Sequence, residues 1–226
     1  MSGGLYTQLL DLACGAFLLA AVVVLWGREL TMIVRVFALQ GVALAAIAVL
    51  LGAHEARWDL VGVGIGIGLL RAGVLPYLMR RALAALAADR AHSEEVRETQ
   101  PLVNVAASLL TAALLTLLAY AVARPLTELH PTPATHALPV GLAVVLIGFF
   151  VLVTRRRALA QVVGFLLLDN GITATAFLAT SGVPLIVELG VSFDVLLAVL
   201  VLQILTARVR EAFGTTDIDD LRELHD

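Results

Sequence analysis

The sequence predicts an all-α, polytopic bundle of about seven membrane-spanning helices, and three observations carry that expectation. The 226 residues are 60% hydrophobic with a mean hydropathy of +0.97, well above the ~45–50% apolar content of soluble domains. Aromatic content is only 6%, and the apolar mass is Leu, Val and Ala, which suits helices rather than an outer-membrane barrel. Charge is confined largely to short breaks between long apolar runs, and all 15 basic residues are Arg.

A span needs ~20 apolar residues, because a helix rises ~1.5 Å per residue across a hydrocarbon core of ~30 Å. Seven stretches qualify, near 5–26, 31–52, 60–80, 101–123, 138–154, 158–180 and 185–208, the fifth being short. They divide the chain into 1–100, with three spans and an inner loop, 101–154, with spans four and five, and 155–226, a transmembrane hairpin with a tail. With the N-terminus outside, eleven arginines fall on the inner side, namely Arg28, Arg80, Arg81, Arg90, Arg97, Arg155, Arg156, Arg157, Arg208, Arg210 and Arg222. Arg57 and Arg124 fall outside, so the positive-inside rule predicts N-out, C-in. Arg28-Glu29-Leu30 with Gln40, and Arg157-Ala158-Leu159 with Asp169, share an offset of 129 residues. The first three and last three spans are therefore possible copies of one three-helix unit; coincidence among Leu-rich helices is the alternative.

The start of the chain has no positive charge ahead of its apolar run and does not resemble a cleaved signal peptide. Within the first span, Cys14 reads as a small packing residue, and Asp11 lies toward the outer side. In the third, Gly62, Gly64, Gly66 and Gly68 form overlapping Gly-xxx-Gly pairs. They read first as a close-packing face and second as a π-bulged helix. Arg71 follows in the same run, eleven residues past Leu60 and too deep to snorkel. The helix is expected to continue as an amphipathic segment through 82–91, before a solvated inner loop at 89–98. In the fourth span, Asn104, Ser108, Thr111 and Thr116 are expected to be structural, with hydroxyls bonding the backbone one turn back. The stretch 124–139, with four prolines, His130 and His136, reads as a loop without metal spacing. His54, like His92 and His225, looks isolated. The tail contains Gly214-Thr215-Thr216-Asp217, with Thr216 as a possible N-cap.

Asp169 lies in Gly164-Phe165-Leu166-Leu167-Leu168-Asp169-Asn170-Gly171, and Glu188 and Asp194 lie in the following apolar run. Counted at the helical rise from the surface where each span begins, Asp169 lies ~16–17 Å from the inner surface, Arg71 ~16–17 Å and Asp194 ~13–14 Å from the outer surface, so all three are near mid-membrane; Glu188 is shallower. An ionised side chain in hydrocarbon costs at least ~2.5–3.5 kcal/mol, so such groups mark function unless they serve as a static pair that fixes helix register. Burial disfavours a charged carboxylate, a nearby cation favours it, and Arg71 cannot release its proton. Arg71 is thus placed to set the proton affinity of a carboxylate that loads and releases a proton, and Asn170 can hold a water or bond a neighbouring backbone. No nucleophile triad, metal cluster, dinucleotide turn or phosphate loop is visible, so no cofactor and no metal is expected, and a net charge of −3 gives no sign of a nucleic-acid partner.

The motifs 164–171, Val187-Glu188-Leu189-Gly190, Phe193-Asp194, Gly214-Thr215-Thr216-Asp217-Ile218 and Asp220-Leu221 resemble the membrane protein hydrogenase-4 component E and its counterparts in related formate hydrogenlyases. Arg71, ahead of Gly73-Val74-Leu75-Pro76, falls where that family has a basic residue. Residues 155–221 are similar to the K-type subunit of complex I (NADH:quinone oxidoreductase) and to the C-type subunit of multisubunit cation/proton antiporters, which carry a glutamate in each of two helices. One of these falls near Leu166, a helical turn before Asp169, and the other near Phe193 or Asp194. The resemblance implies a non-catalytic inner-membrane subunit of a redox-driven complex, with Asp169, Asp194, Glu188, Arg71 and Asn170 in a proton relay beside antiporter-like subunits. The alternatives are a subunit of a cation/proton antiporter without redox activity and a stand-alone small-solute transporter.

Overall fold

In a computed structural model, residues 3–27, 29–81, 104–155 and 158–180 are described. They form six helices: α1 (Gly3–Trp26), α2 (Leu30–His54), α3 (Trp58–Arg81), α4 (Val105–Leu129), α5 (Pro133–Thr154) and α6 (Ala158–Thr180). All six are long and apolar enough to cross a membrane, and the protein is a multi-pass membrane protein. The seventh expected span at 185–208, with Glu188 and Asp194, lies outside the described residues, as do the segment 82–98 and the tail with Thr216.

Helices α1, α2, α6 and α5 pack in a closed ring, with α3 against α2 and α4 against α5 and α1. The ring encloses a core that includes Leu10, Phe17, Phe37, Leu44, Ile47, Leu51, Ile147, Leu167 and Phe177, each with no residual exposure. Outward faces are apolar too, with Leu12, Leu19, Leu39, Leu117 and Phe149 more than half exposed, the pattern expected where lipid is the solvent. Trp26 and Trp58 stand exposed at helix ends, where amphipathic rings suit the membrane–water boundary.

Helices α5 and α6 are held together by glycines from both sides. A Cβ on Gly148 would collide with the Leu168 backbone; one on Gly171 would lie 2.5 Å from the Val145 amide nitrogen, one on Gly164 2.6 Å from that of Leu152, and one on Gly141 2.8 Å from that of Thr175. These contacts step regularly along an antiparallel pair, so the two backbones touch over much of their length. Close approach replaces the hydrophobic drive that lipid removes from helix association.

Several local expectations are corrected. The proline-rich stretch 124–139 is mostly helical. Pro125 lies inside α4, Pro133 opens α5 and Pro139 lies within it. Pro suits the first helical turn, where its missing N–H has no partner to lose, and interior Pro is tolerated in membrane helices because neighbours re-satisfy the freed carbonyl. Thr132 caps α5 by accepting from the Thr135 amide at 3.1 Å, while the Thr135 hydroxyl accepts from the Thr132 amide at 2.9 Å, a reciprocal capping box. The fifth span is therefore 22 residues long. Asn104 is not within the fourth span but caps it, accepting from the Ala106 amide. His54 stacks on Tyr6 with ring centroids 3.8 Å apart and planes within 6°. Thr111 and Thr116 bond carbonyls one turn back as expected, and Cys14 is buried in the core. Arg155, also buried, donates to the carbonyls of Val24, Leu25 and Gly27. That satisfies free carbonyls at the end of α1 and puts the C-terminal ends of α1 and α5 on one side of the bundle.

Candidate functional site

The site is built where α2, α3 and α6 meet at mid-span. Over Gly68–Val74 the helix α3 widens into a π-helix with Arg71 at its centre. Both readings of its glycine stripe hold. Gly64 and Gly68 close the α2 contact, against Val49, Ala48 and Ala45, whereas Gly62 and Gly66 face open space. Gly41 on α2 lies against the same turn: a Cβ there would be 2.9 Å from the Arg71 carbonyl carbon and from the Ala72 nitrogen. Gln40 therefore enters the site at the level of Arg71. On α6, Asp169, Asn170 and Thr173 share one face, since residues three and four apart are helical neighbours.

Arg71 retains 1% exposure and is the bulkiest fully buried side chain of the described residues. Its Nη2 lies 2.8 Å from Asp169 Oδ2 and donates to Thr173 Oγ1 at 3.1 Å. Its Nη1 donates to Asn170 Oδ1 at 2.6 Å. Asn170 Nδ2 in turn donates to Gln40 Oε1 at 3.0 Å. Each of these bonds joins residues distant in sequence, so one guanidinium gathers α6 onto α3 and, through Asn170, onto α2. The expected common depth of Arg71 and Asp169 is thus a direct contact.

Burial of the two charges is unequal: the Asp169 side chain keeps 10% exposure and that of Arg71 only 1%. The guanidinium stays protonated and can only donate. The carboxylate is the member able to change protonation state, and it is the one with residual access. A buried ion pair is weak evidence for stability by itself, since desolvation offsets much of the attraction. Here the guanidinium also donates hydrogen bonds to Asn170 and Thr173, which adds to its partners beyond the carboxylate.

Of the residues that the sequence singles out, Arg71, Asp169 and Asn170 come together, while Glu188 and Asp194 lie outside the described residues. Gln40 stands out in the sequence only through the possible repeat, and Thr173 does not stand out at all. Its position four residues past Asp169 in the same apolar run is the signal that points to it. Among the described residues no group of three His, Cys, Asp or Glu side chains is arranged to hold a metal ion.

The chain is 51% identical, over the full length of both, to the uncharacterised protein Rv0085 of Mycobacterium tuberculosis. It is also 33% identical to hydrogenase-4 component E of Escherichia coli and of Shigella flexneri over 115 residues, 51% of this chain and 53% of those proteins. The matched region thus spans about half the length of each. No family model and no solved structure matches.

Proposed function

Because the chain belongs to the family of that full-length mycobacterial protein and half of it is related to a hydrogenase-4 component, we propose that it is a membrane subunit of a hydrogenase-4-type energy-converting complex. In this role it contributes buried carboxylates to proton translocation coupled to electron transfer and has no catalytic activity of its own. The observation that carries the proposal is the Arg71–Asp169 pair, 2.8 Å apart in the middle of the bundle, with the carboxylate the more accessible member. A permanent cation beside an accessible acid is what a proton-loading group requires: the cation counters the desolvation that would otherwise hold the acid neutral, and small changes around it shift the balance.

Asp194 and Glu188, on the proposed seventh span, are the next stations of the relay. Antiporter-like membrane subunits are the partners that complete the path. The orientation is N-out, C-in, supported by the arginine distribution; the shared side of the α1 and α5 ends is compatible with it. Reporter fusions just after Arg81 should read inside and fusions at His130 outside; the opposite pair of signals would remove this orientation. The three-helix repeat is kept as part of the proposal, with Gln40 as counterpart of Asp169. A cation/proton antiporter subunit without redox activity is the second reading, favoured by the resemblance of 155–221 to such subunits.

The test uses the intact complex in membrane vesicles. Asp169→Asn keeps shape and hydrogen bonding but cannot ionise, so assembly should persist while proton uptake per electron transferred falls. A variant that assembles and pumps at the unaltered ratio would show that the carboxylate is structural. If uptake in wild-type vesicles follows an imposed cation gradient and is indifferent to electron flow, the antiporter reading replaces the redox one.

A further inference from the structure

We infer that Gln40 holds a buried water molecule inside the α2–α3–α6 junction. The inference comes from the direction in which hydrogen bonds must run through the cluster, and it stands whether or not the subunit moves protons. Arg71 presents only donors, so the Asn170 atom facing it at 2.6 Å is the carbonyl oxygen. The Asn170 amide nitrogen is thereby turned toward Gln40, and the Gln40 atom that meets it at 3.0 Å is the oxygen. Reversing either amide would set donor against donor. The order is imposed from the guanidinium end and leaves Gln40 Nε2 pointing onward.

That nitrogen has no hydrogen-bond partner among the described residues, and Gln40 has no exposure at all. Lipid or bulk water cannot reach it from outside. A primary amide donor left empty in an apolar interior is costly, and buried polar groups are almost always satisfied by protein or by ordered water. What Nε2 calls for is an acceptor, and a single water is the smallest: it accepts from Nε2 and can donate to the spare lone pairs of nearby helical carbonyls.

X-ray hydroxyl-radical footprinting of the full chain in nanodiscs tests this, because an ordered water converts to a radical where it sits and marks the adjacent side chains. Phe37 lies one turn from Gln40 on the same face of α2 and is fully buried, as are Phe17 and Phe177. A bound water predicts rapid oxidation of Phe37, several-fold above Phe17 and Phe177, and loss of that excess in Gln40→Leu. Wild-type protein in which Phe37 is as protected as the other two would overturn the inference without recourse to any variant. In an experimental density map of the same sample, a single isolated peak within hydrogen-bond distance of Nε2 supports it. A protein carbonyl or side chain filling that place overturns it.

Discussion

Gly41 and Arg71 are in backbone contact across the α2–α3 interface, and that contact brings the Gln40 and Arg71 side chains to one level. A Cβ at position 41 would stand 2.9 Å from the Arg71 carbonyl carbon and 3.0 Å from its oxygen, distances at which backbone must move. The π-helical turn of α3 is the surface that Gly41 meets, so the widened turn and the glycine are matched features of one interface.

Gly41→Ala should therefore destabilise the protein by about 1–3 kcal/mol, the usual range for overpacking. Gly66→Ala is the control, because nothing lies within 4 Å of a Cβ there. Relief of helical glycine entropy should make it neutral or stabilising by about 0.5–1 kcal/mol. Thermal unfolding of the purified chain in detergent separates them: Tm falls for position 41 and holds or rises for position 66. Equal losses at both would mean that the close approach of α2 to Arg71 contributes little to stability.

The α5–α6 pair offers a sharper contrast. Gly148→Ala drives a methyl group into the Leu168 backbone, with the Leu168 Cα at 2.7 Å, whereas Gly15→Ala on α1 meets nothing within 4 Å. Backbone cannot rotate away as a side chain can, so Gly148→Ala should lose more stability than Gly41→Ala, and the loss should appear as lower folded yield as well as lower Tm. Gly15→Ala should express as wild type. Normal yield and Tm for Gly148→Ala would mean the two helices are not in backbone contact.

The charged part of the site is legible in the sequence because charge inside an apolar run is conspicuous. Counting residues from the helix ends puts Arg71 and Asp169 at one depth. The neutral part is not legible. Thr173 and Gln40 cost little inside a helix whose backbone is already satisfied, so composition does not flag them, and only the three-dimensional meeting of α2 and α6 reveals their use. The prolines at 125 and 139, inside helices, mislead for a related reason. Their breaking power in water rests on lost hydrogen bonds, which a membrane bundle restores through neighbours. The glycines of α5 and α6 look incidental in the sequence because only the antiparallel packing of the two helices sets Gly141, Gly148, Gly164 and Gly171 against the opposite backbone.

The Arg71–Asp169 pair separates a structural from a functional role through a double-mutant cycle. Removing one member of a buried pair leaves an uncompensated charge, typically at about 3–5 kcal/mol. Arg71→Met and Asp169→Leu should each destabilise on that scale, with Arg71→Met the milder if Asp169 can take up a proton through its residual exposure and so become neutral. The double variant should recover much of the loss, because paired charges replaced by apolar groups of similar volume are often tolerated. Asn170 and Thr173 would keep part of the deficit, as each loses the donor it now accepts from. The cycle is measured by equilibrium unfolding of the purified chain, and the same variants are then assembled with partners and assayed for proton uptake per electron. A double variant that is stable, assembles and pumps normally makes the pair an element of packing. One that is stable and assembles but fails to pump shows that the charges are held at mid-span for proton transfer, since stability and assembly would then no longer require them.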